Sequence, residues 1–230
     1  VSLTVTQLTS SIDGTDQSSY TTASITPTQG RAVILNIEQR IAVGVAGGPG
    51  TPTVSGCGLT WTLEKRVTSS GGTPNRAASV WLGTGVATSG TVTIDCNGET
   101  HTHVGWSIQE ISEFWTIHQA VSANDGGVLG TTATVTLGAL ASRNNVALAW
   151  AVVTSSLTIT VGGGFSQQSQ VSEATDGTTD LVETKLNETV CSCTWTGNNS
   201  WMIVAVELAQ SLVMKRPVTR PGPYKPGLAR

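Results

Sequence analysis

Apolar and polar residues alternate with a period of two along nearly the whole chain, and Gly, Pro, Asn and Ser interrupt the alternation at short intervals. The pattern predicts strands at Leu3–Leu8, Tyr20–Ile25, Arg31–Val43, Leu59–Val67, Arg76–Leu82, Gly90–Cys96 and Thr100–Glu113. It predicts further strands at Thr131–Leu137, Asn145–Val153, Leu157–Val161, Phe165–Glu173, Thr179–Leu186, Thr189–Trp195 and Trp201–Ala209. Turn-like segments at Ser69–Pro74, Thr84–Ser89, Asn97–Glu99, Gly162–Gly164 and Gly197–Ser200 have the spacing of antiparallel hairpins. No stretch carries the 3.6-residue period that helical crossovers need, and Glu113–Ser122 is expected to make a helical turn or bend and nothing longer. The fold class that follows is all-β: a two-sheet antiparallel β-sandwich of jelly-roll or Ig-like topology.

Two segments, Arg31–Ile37 and Asn145–Val153, are apolar on both faces. In an antiparallel sandwich that marks central strands whose outer face is also covered, and a neighbouring subunit is the expected cover. Composition agrees with a β fold. Only 12% of the 230 residues are charged, about a quarter are Thr or Ser, and Gly contributes 26. That profile fits neither a disordered chain nor a coiled coil. The longest uncharged apolar runs, Val146–Val153 and Trp201–Val206, fall far short of the ~20 residues of a membrane helix.

Charge divides the chain in two. The formal net charge is −3, yet Lys215, Arg216, Arg220, Lys225 and Arg230 place five of the twelve basic residues in the last sixteen positions with no acid among them. The rest holds seven basic and all fifteen acidic residues, a net of −8. Four of the eight prolines, Pro217, Pro221, Pro223 and Pro226, fall in the same stretch. Proline removes backbone donors and fixes φ, so this segment is expected to be an extended, polyproline-like arm with little entropy to lose on docking. The expected organisation is a β-sandwich body over 1–213 and a partner-binding arm over 214–230, with Lys215, Arg216, Pro217, Arg220, Pro221, Tyr224, Lys225 and Arg230 as its contact residues.

Candidate chemistry is sparse. His101 and His103 share a strand face, as do Cys191 and Cys193, and together they supply the ingredients of a Cys₂His₂ zinc site. The tight Cys-x₂-Cys spacing of short zinc signatures is missing, so no metal is expected. Cys57 and Cys96 can pair across neighbouring hairpins, which would imply an oxidising setting; buried free thiols are the plainer reading. Glu110 and Glu113 lie on opposite strand faces, wrong for the shared cleft of a glycosidase. Glu207, within an apolar strand, demands a partner, because a buried carboxylate is costly alone. None of the three histidines stands beside a Ser or Cys in sequence, so no catalytic triad and no cofactor is expected. Of the seven tryptophans, Trp115 and Trp195 near loop edges are the candidates for stacking on a glycan, while core packing accounts for the others.

The stretches Ser24–Leu35, Pro52–Leu63, Gly90–Asp95, Gly105–Ile111 and Trp201–Leu208 resemble β-sandwich domains of tailed-phage virions over about residues 20–210. The resemblance implies a non-enzymatic structural protein, foremost a capsid decoration (cement) protein on the capsid exterior, anchored by its arm to the major capsid protein or another virion protein. A homo-oligomer, plausibly a trimer, is implied too, with no membrane partner. A body of net −8 disfavours nucleic acid. The alternative is an extracellular carbohydrate- or receptor-binding module of a phage tail or secreted protein.

Overall fold

Short β-branched runs closed by Gly and Asn turns fold as the alternation requires. The computed structural model describes residues 3–42, 48–69, 75–112, 115–175 and 177–210. Its strands are β1 (Val5–Asp13), β2 (Ser19–Thr21), β3 (Val33–Arg40), β4 (Thr53–Gly56), β5 (Leu59–Thr68), β6 (Arg76–Gly85), β7 (Val92–Asp95) and β8 (His103–Ile111). They continue with β9 (Trp115–Asn124), β10 (Gly130–Thr136), β11 (Val146–Val153), β12 (Ser166–Glu173), β13 (Thr178–Leu186), β14 (Val190–Asn199) and β15 (Trp201–Gln210). Every pairing among them is antiparallel. The arm at 214–230 lies outside the described residues.

The sheets show a duplication that the strand pattern conceals. One five-stranded sheet runs β1-β8-β3-β6-β5 and the other β9-β15-β11-β13-β12. Ranked by chain order, both read first, fifth, second, fourth, third. Each has a small companion sheet, β2-β7-β4 in one case and β10-β14 in the other. A single bridge from Thr160 to Thr194 stands where β4 would be in the second set. The first eight strands thus have jelly-roll order, with strands one, eight, three and six in one sheet and two, seven and four in the other. Residues 3–111 and 115–210 are two copies of this sandwich.

The copies pack back to back in four layers. Val33, Leu35 and Ile37 of β3 join Tyr20, Val92 and Ile94 of the small sheet in one outer core. Ala147, Ala149, Ala151 and Val153 of β11 join Ala133, Val135, Cys191 and Cys193 in the other. Between the two large sheets lies a third core, the seam, where Ile34, Ala78, Val80 and Leu82 meet Leu148, Trp150, Val152, Val182, Val204 and Val206. The second face of Arg31–Ile37 and of Asn145–Val153 is therefore covered from within the same chain, which removes the need for a neighbouring subunit there.

Three local expectations change. Within the segment expected to turn, Trp115–Ser122 belongs to a ten-residue strand, β9, while Glu113 lies outside the described residues. A bulge at His118 shifts its register against β15, and that shift breaks the period-two signature. β4 is only four residues long, too short to stand out from the Thr/Ser background. The predicted strand Leu157–Val161 pairs through Thr160 alone.

Candidate functional site

Ionisable groups collect in the seam. Glu38 on β3, Arg76 at the start of β6 and His103 at the start of β8 occupy one end of the first large sheet, because Arg40 pairs with both Arg76 and His103. Asp180 and Thr178 on β13 face them from the second copy. Glu38, His103 and Asp180 are wholly buried and Arg76 is 4% exposed. The Glu38 carboxylate takes Arg76 Nη1 on Oε1 at 3.1 Å and has His103 Nε2 2.7 Å from Oε2. Arg76 donates across the seam to Thr178 Oγ1 and to the Gly177 carbonyl. Burial opposes ionisation of Glu38, but the His103 ring and the Arg76 guanidinium outweigh it and hold the carboxyl below its ordinary range.

Asp180 is the opposite case. Among the described residues neither carboxyl oxygen has a hydrogen-bond partner, and one lies where a Cβ on Gly105 would be. Glycine at 105 is what allows this approach of β8 to β13. Burial, and then the charge of Glu38, push the Asp180 carboxyl well above its ordinary range, with Arg76 opposing in part. The cluster continues along the seam as uncharged hydrogen bonds, from Asn36 to Gln109, Gln109 to Gln7, and Ser107 to Ser169.

A second pair of acids follows from the duplication. Val33 pairs with Glu110 as Ala147 pairs with Glu207, so the two carboxylates occupy equivalent positions. Each accepts a backbone N–H from the loop that enters the second strand of its own large sheet, β3 or β11, from Thr28 for Glu110 and from Ala141 for Glu207. Glu110 also pairs with Arg31 at 2.7 Å. Glu207 is further held by Asn145, Gln119 and His118. These hydrogen bonds overcome burial and keep its carboxyl below the ordinary range. The carboxylate singled out in the sequence is thus a clamp on a loop.

The structure separates the remaining sequence candidates. His103 belongs to the seam, whereas Cys191 and Cys193 lie in the outer core of the other copy, so the four residues of the zinc reading do not converge. Cys57 and Cys96 are free and sit at opposite ends of the β4–β7 pairing, out of reach of a bridge. Cys57 directs its thiol to the Gly90 and Thr91 carbonyls instead. Trp115 and Trp195 are 5% and 6% exposed, because each fills a core, and neither offers a ring face to a sugar.

One constellation is absent from the sequence reading. The Asn97–Gly98 turn, with both residues at positive φ, brings Cys96 Sγ to 3.3 Å from His101 Nδ1, and His101 Nε2 lies 3.5 Å from Glu99. The order of groups is that of a nucleophile, base and orienting acid. Burial opposes that chemistry, lifting the Cys96 thiol to about 12 and lowering the basicity of His101. Burial lifts Cys191 to about 12 as well. Native protein at pH 8 is therefore expected to leave all four cysteines unalkylated by iodoacetamide, while denatured protein reacts at all four. Fast native labelling of Cys96 would reveal an accessible thiolate, and a mass gain on reduction would reveal a disulfide.

Comparison of the chain with protein-family models, with curated proteins and with solved structures finds no match. What defines the class is the architecture itself: an all-β protein of two back-to-back antiparallel sandwiches, with Glu38, Arg76, His103 and Asp180 buried together in their seam.

Proposed function

We propose that this chain is a non-enzymatic structural protein that works by attachment, a rigid body delivered to a partner surface by the basic, Pro-rich segment 214–230. The observation that carries this reading is the use of the body's charged groups. Glu38, Arg76, His103, Glu110 and Glu207 all hold strands or loops together, while five cations stand in the last sixteen residues. In the specific form, the body is a capsid decoration protein and the segment grips the major capsid protein or another virion protein. A lattice of identical sites would multiply a modest affinity per arm. The carbohydrate-binding alternative loses its stacking candidates with the burial of Trp115 and Trp195.

Two measurements test the reading. Quantitative mass spectrometry of purified particles should find hundreds of copies per particle, and absence from particles would overturn the virion assignment. Chains 1–213 and 1–230 should both fold cooperatively, but only the longer should bind empty shells, more weakly as salt rises. Equal binding by both chains would remove the arm from the mechanism.

A further inference from the structure

The two copies share one register, so a place where equivalent residues fill space differently is informative. Val5 of β1 faces Ile111 as Ile117 of β9 faces Leu208, which makes Leu3 the counterpart of Trp115 two residues earlier. At one flank of the seam the Trp115 indole is buried in the shared core together with Leu82. At the other flank Leu3 is only half-buried, and a cavity of about 480 Å³ opens beside it, lined by Leu3, Val5, Val146, Gln168 and Thr184. The rims differ in the complementary sense. Leu186 borders the cavity with 60% of its surface exposed, whereas its counterpart at the filled flank is the polar, exposed Thr84. The open flank thus leaves Leu3 and Leu186 partly exposed among the described residues, beside a cavity whose remaining rim, with Ser166, Gln168, Thr184 and Lys185, is polar.

We propose that the open flank is the docking site of this chain's own C-terminal segment, with the ring of Tyr224 taking the place that Trp115 takes at the other flank. Position and reach favour this occupant. β15 ends at Gln210, opposite Trp115, at the end of the sandwich where Val146 pairs with Leu208 and lines the cavity. From β15 the cavity lies beyond β11 and β13, two strand spacings or about 10 Å away. The fourteen residues from Gln210 to Tyr224 span up to about 43 Å as polyproline, ample for the crossing.

Chemistry favours it too. Tyr224 is the aromatic residue of 211–230. Leu3, Val5 and Leu186 match its ring, and Gln168 and Thr184 match its hydroxyl. Lys185 on the same rim does not repel the basic segment strongly, because Glu188 pairs with it at 2.7 Å. Docked in this way the segment is parked, and an external partner must compete with the cavity for it, which weakens apparent affinity by the undocked fraction. The inference concerns the isolated chain and stands or falls separately from the identity of that partner.

Lys185 and Lys225 provide the test, since one borders the cavity and the other follows Tyr224. Amine-reactive cross-linking of the full chain, read by mass spectrometry on a mixture of isotope-labelled and unlabelled protein, should give a Lys185–Lys225 link within single chains and no comparable link from Lys65. Tyr224→Ala removes the ring, and Leu3→Trp fills the cavity as Trp115 does. Each should reduce the link by about tenfold, on the scale of one lost aromatic anchor. Tyr224→Ala lies outside the body, so the test survives if Leu3→Trp fails to fold. Absence of the link in the natural chain, its persistence in Tyr224→Ala, or links exclusively between chains would each overturn the assignment.

Discussion

Replacing Arg76 with methionine will destabilise the protein by about 3–5 kcal/mol, the usual cost of breaking a buried ion pair from one side. The substitution leaves the Glu38 carboxylate wholly buried with the His103 ring beside it, and it deletes the donor that crosses to Thr178 and Gly177. The measurement is the urea midpoint at pH 7. The double variant Arg76→Met, Glu38→Leu should recover a large part of the loss, because removing both charges removes the stranded one. A single variant within about 0.5 kcal/mol of the natural chain, the range of an ordinary surface change, would mean that the cluster does not hold the seam.

Glu183→Gln will stabilise the protein at pH 8 and leave it unchanged near pH 4. Glu183 is wholly buried on β13, and burial raises its carboxyl to about 7, with the Gly162 N–H and Lys185 only partly opposing. The folded protein keeps that proton up to about pH 7, whereas the unfolded chain releases it near ~4.3. Stability from this group is therefore complete below ~4.3 and is lost as pH rises to about 7, by about 4 kcal/mol at ~1.4 kcal/mol per pH unit. Asp180, raised well above its ordinary value by burial and by Glu38, adds to the loss with the same sign. Glu38 and Glu207 act oppositely, since their lowered values contribute stability that disappears only in acid. Denaturation curves at pH 4.5, 6 and 8 should show the natural chain strongest on the acid side of neutrality and the Glu183→Gln curve flatter. An equal effect at all three pH values would refute a titrating Glu183.

Strand existence was legible because β-branched alternation and Gly/Asn turns are local signals. The duplication was not, because the copies divide the same layer thickness differently. The first fills its outer core with Leu35 and Ile37 from the large sheet, and the second puts Ala149 and Ala151 there and supplies bulk through Trp195 and Phe165. Most equivalent positions then share a role without sharing a side chain, whereas Glu110 and Glu207 share both. The seam cluster was not visible. Glu38 stands among Asn36, Gln39 and Arg40, and Asp180 follows Thr178 and Thr179, so neither stands out as Glu207 does in its apolar strand, and nothing local tells β3 of the first copy that it faces β13 of the second. Cys96 and His101 escaped because a tight turn, not sequence adjacency, brings them together.

The unequal faces of the seam also bear on how the chain is made. The first copy is synthesised complete before the second exists, and at roughly 5–20 residues per second it waits several seconds with one large face open to water. On that face Asn36, Glu38, Ser107 and Gln109 interrupt Ile34, Val80 and Leu82. The later face, built from Leu148, Trp150, Val152, Val204 and Val206, has no such interruption on β11 and β15, but it emerges when its cover is already in place. The nascent protein thus exposes its wettable surface first and its stickiest surface last, an order that protects it from aggregation on the ribosome.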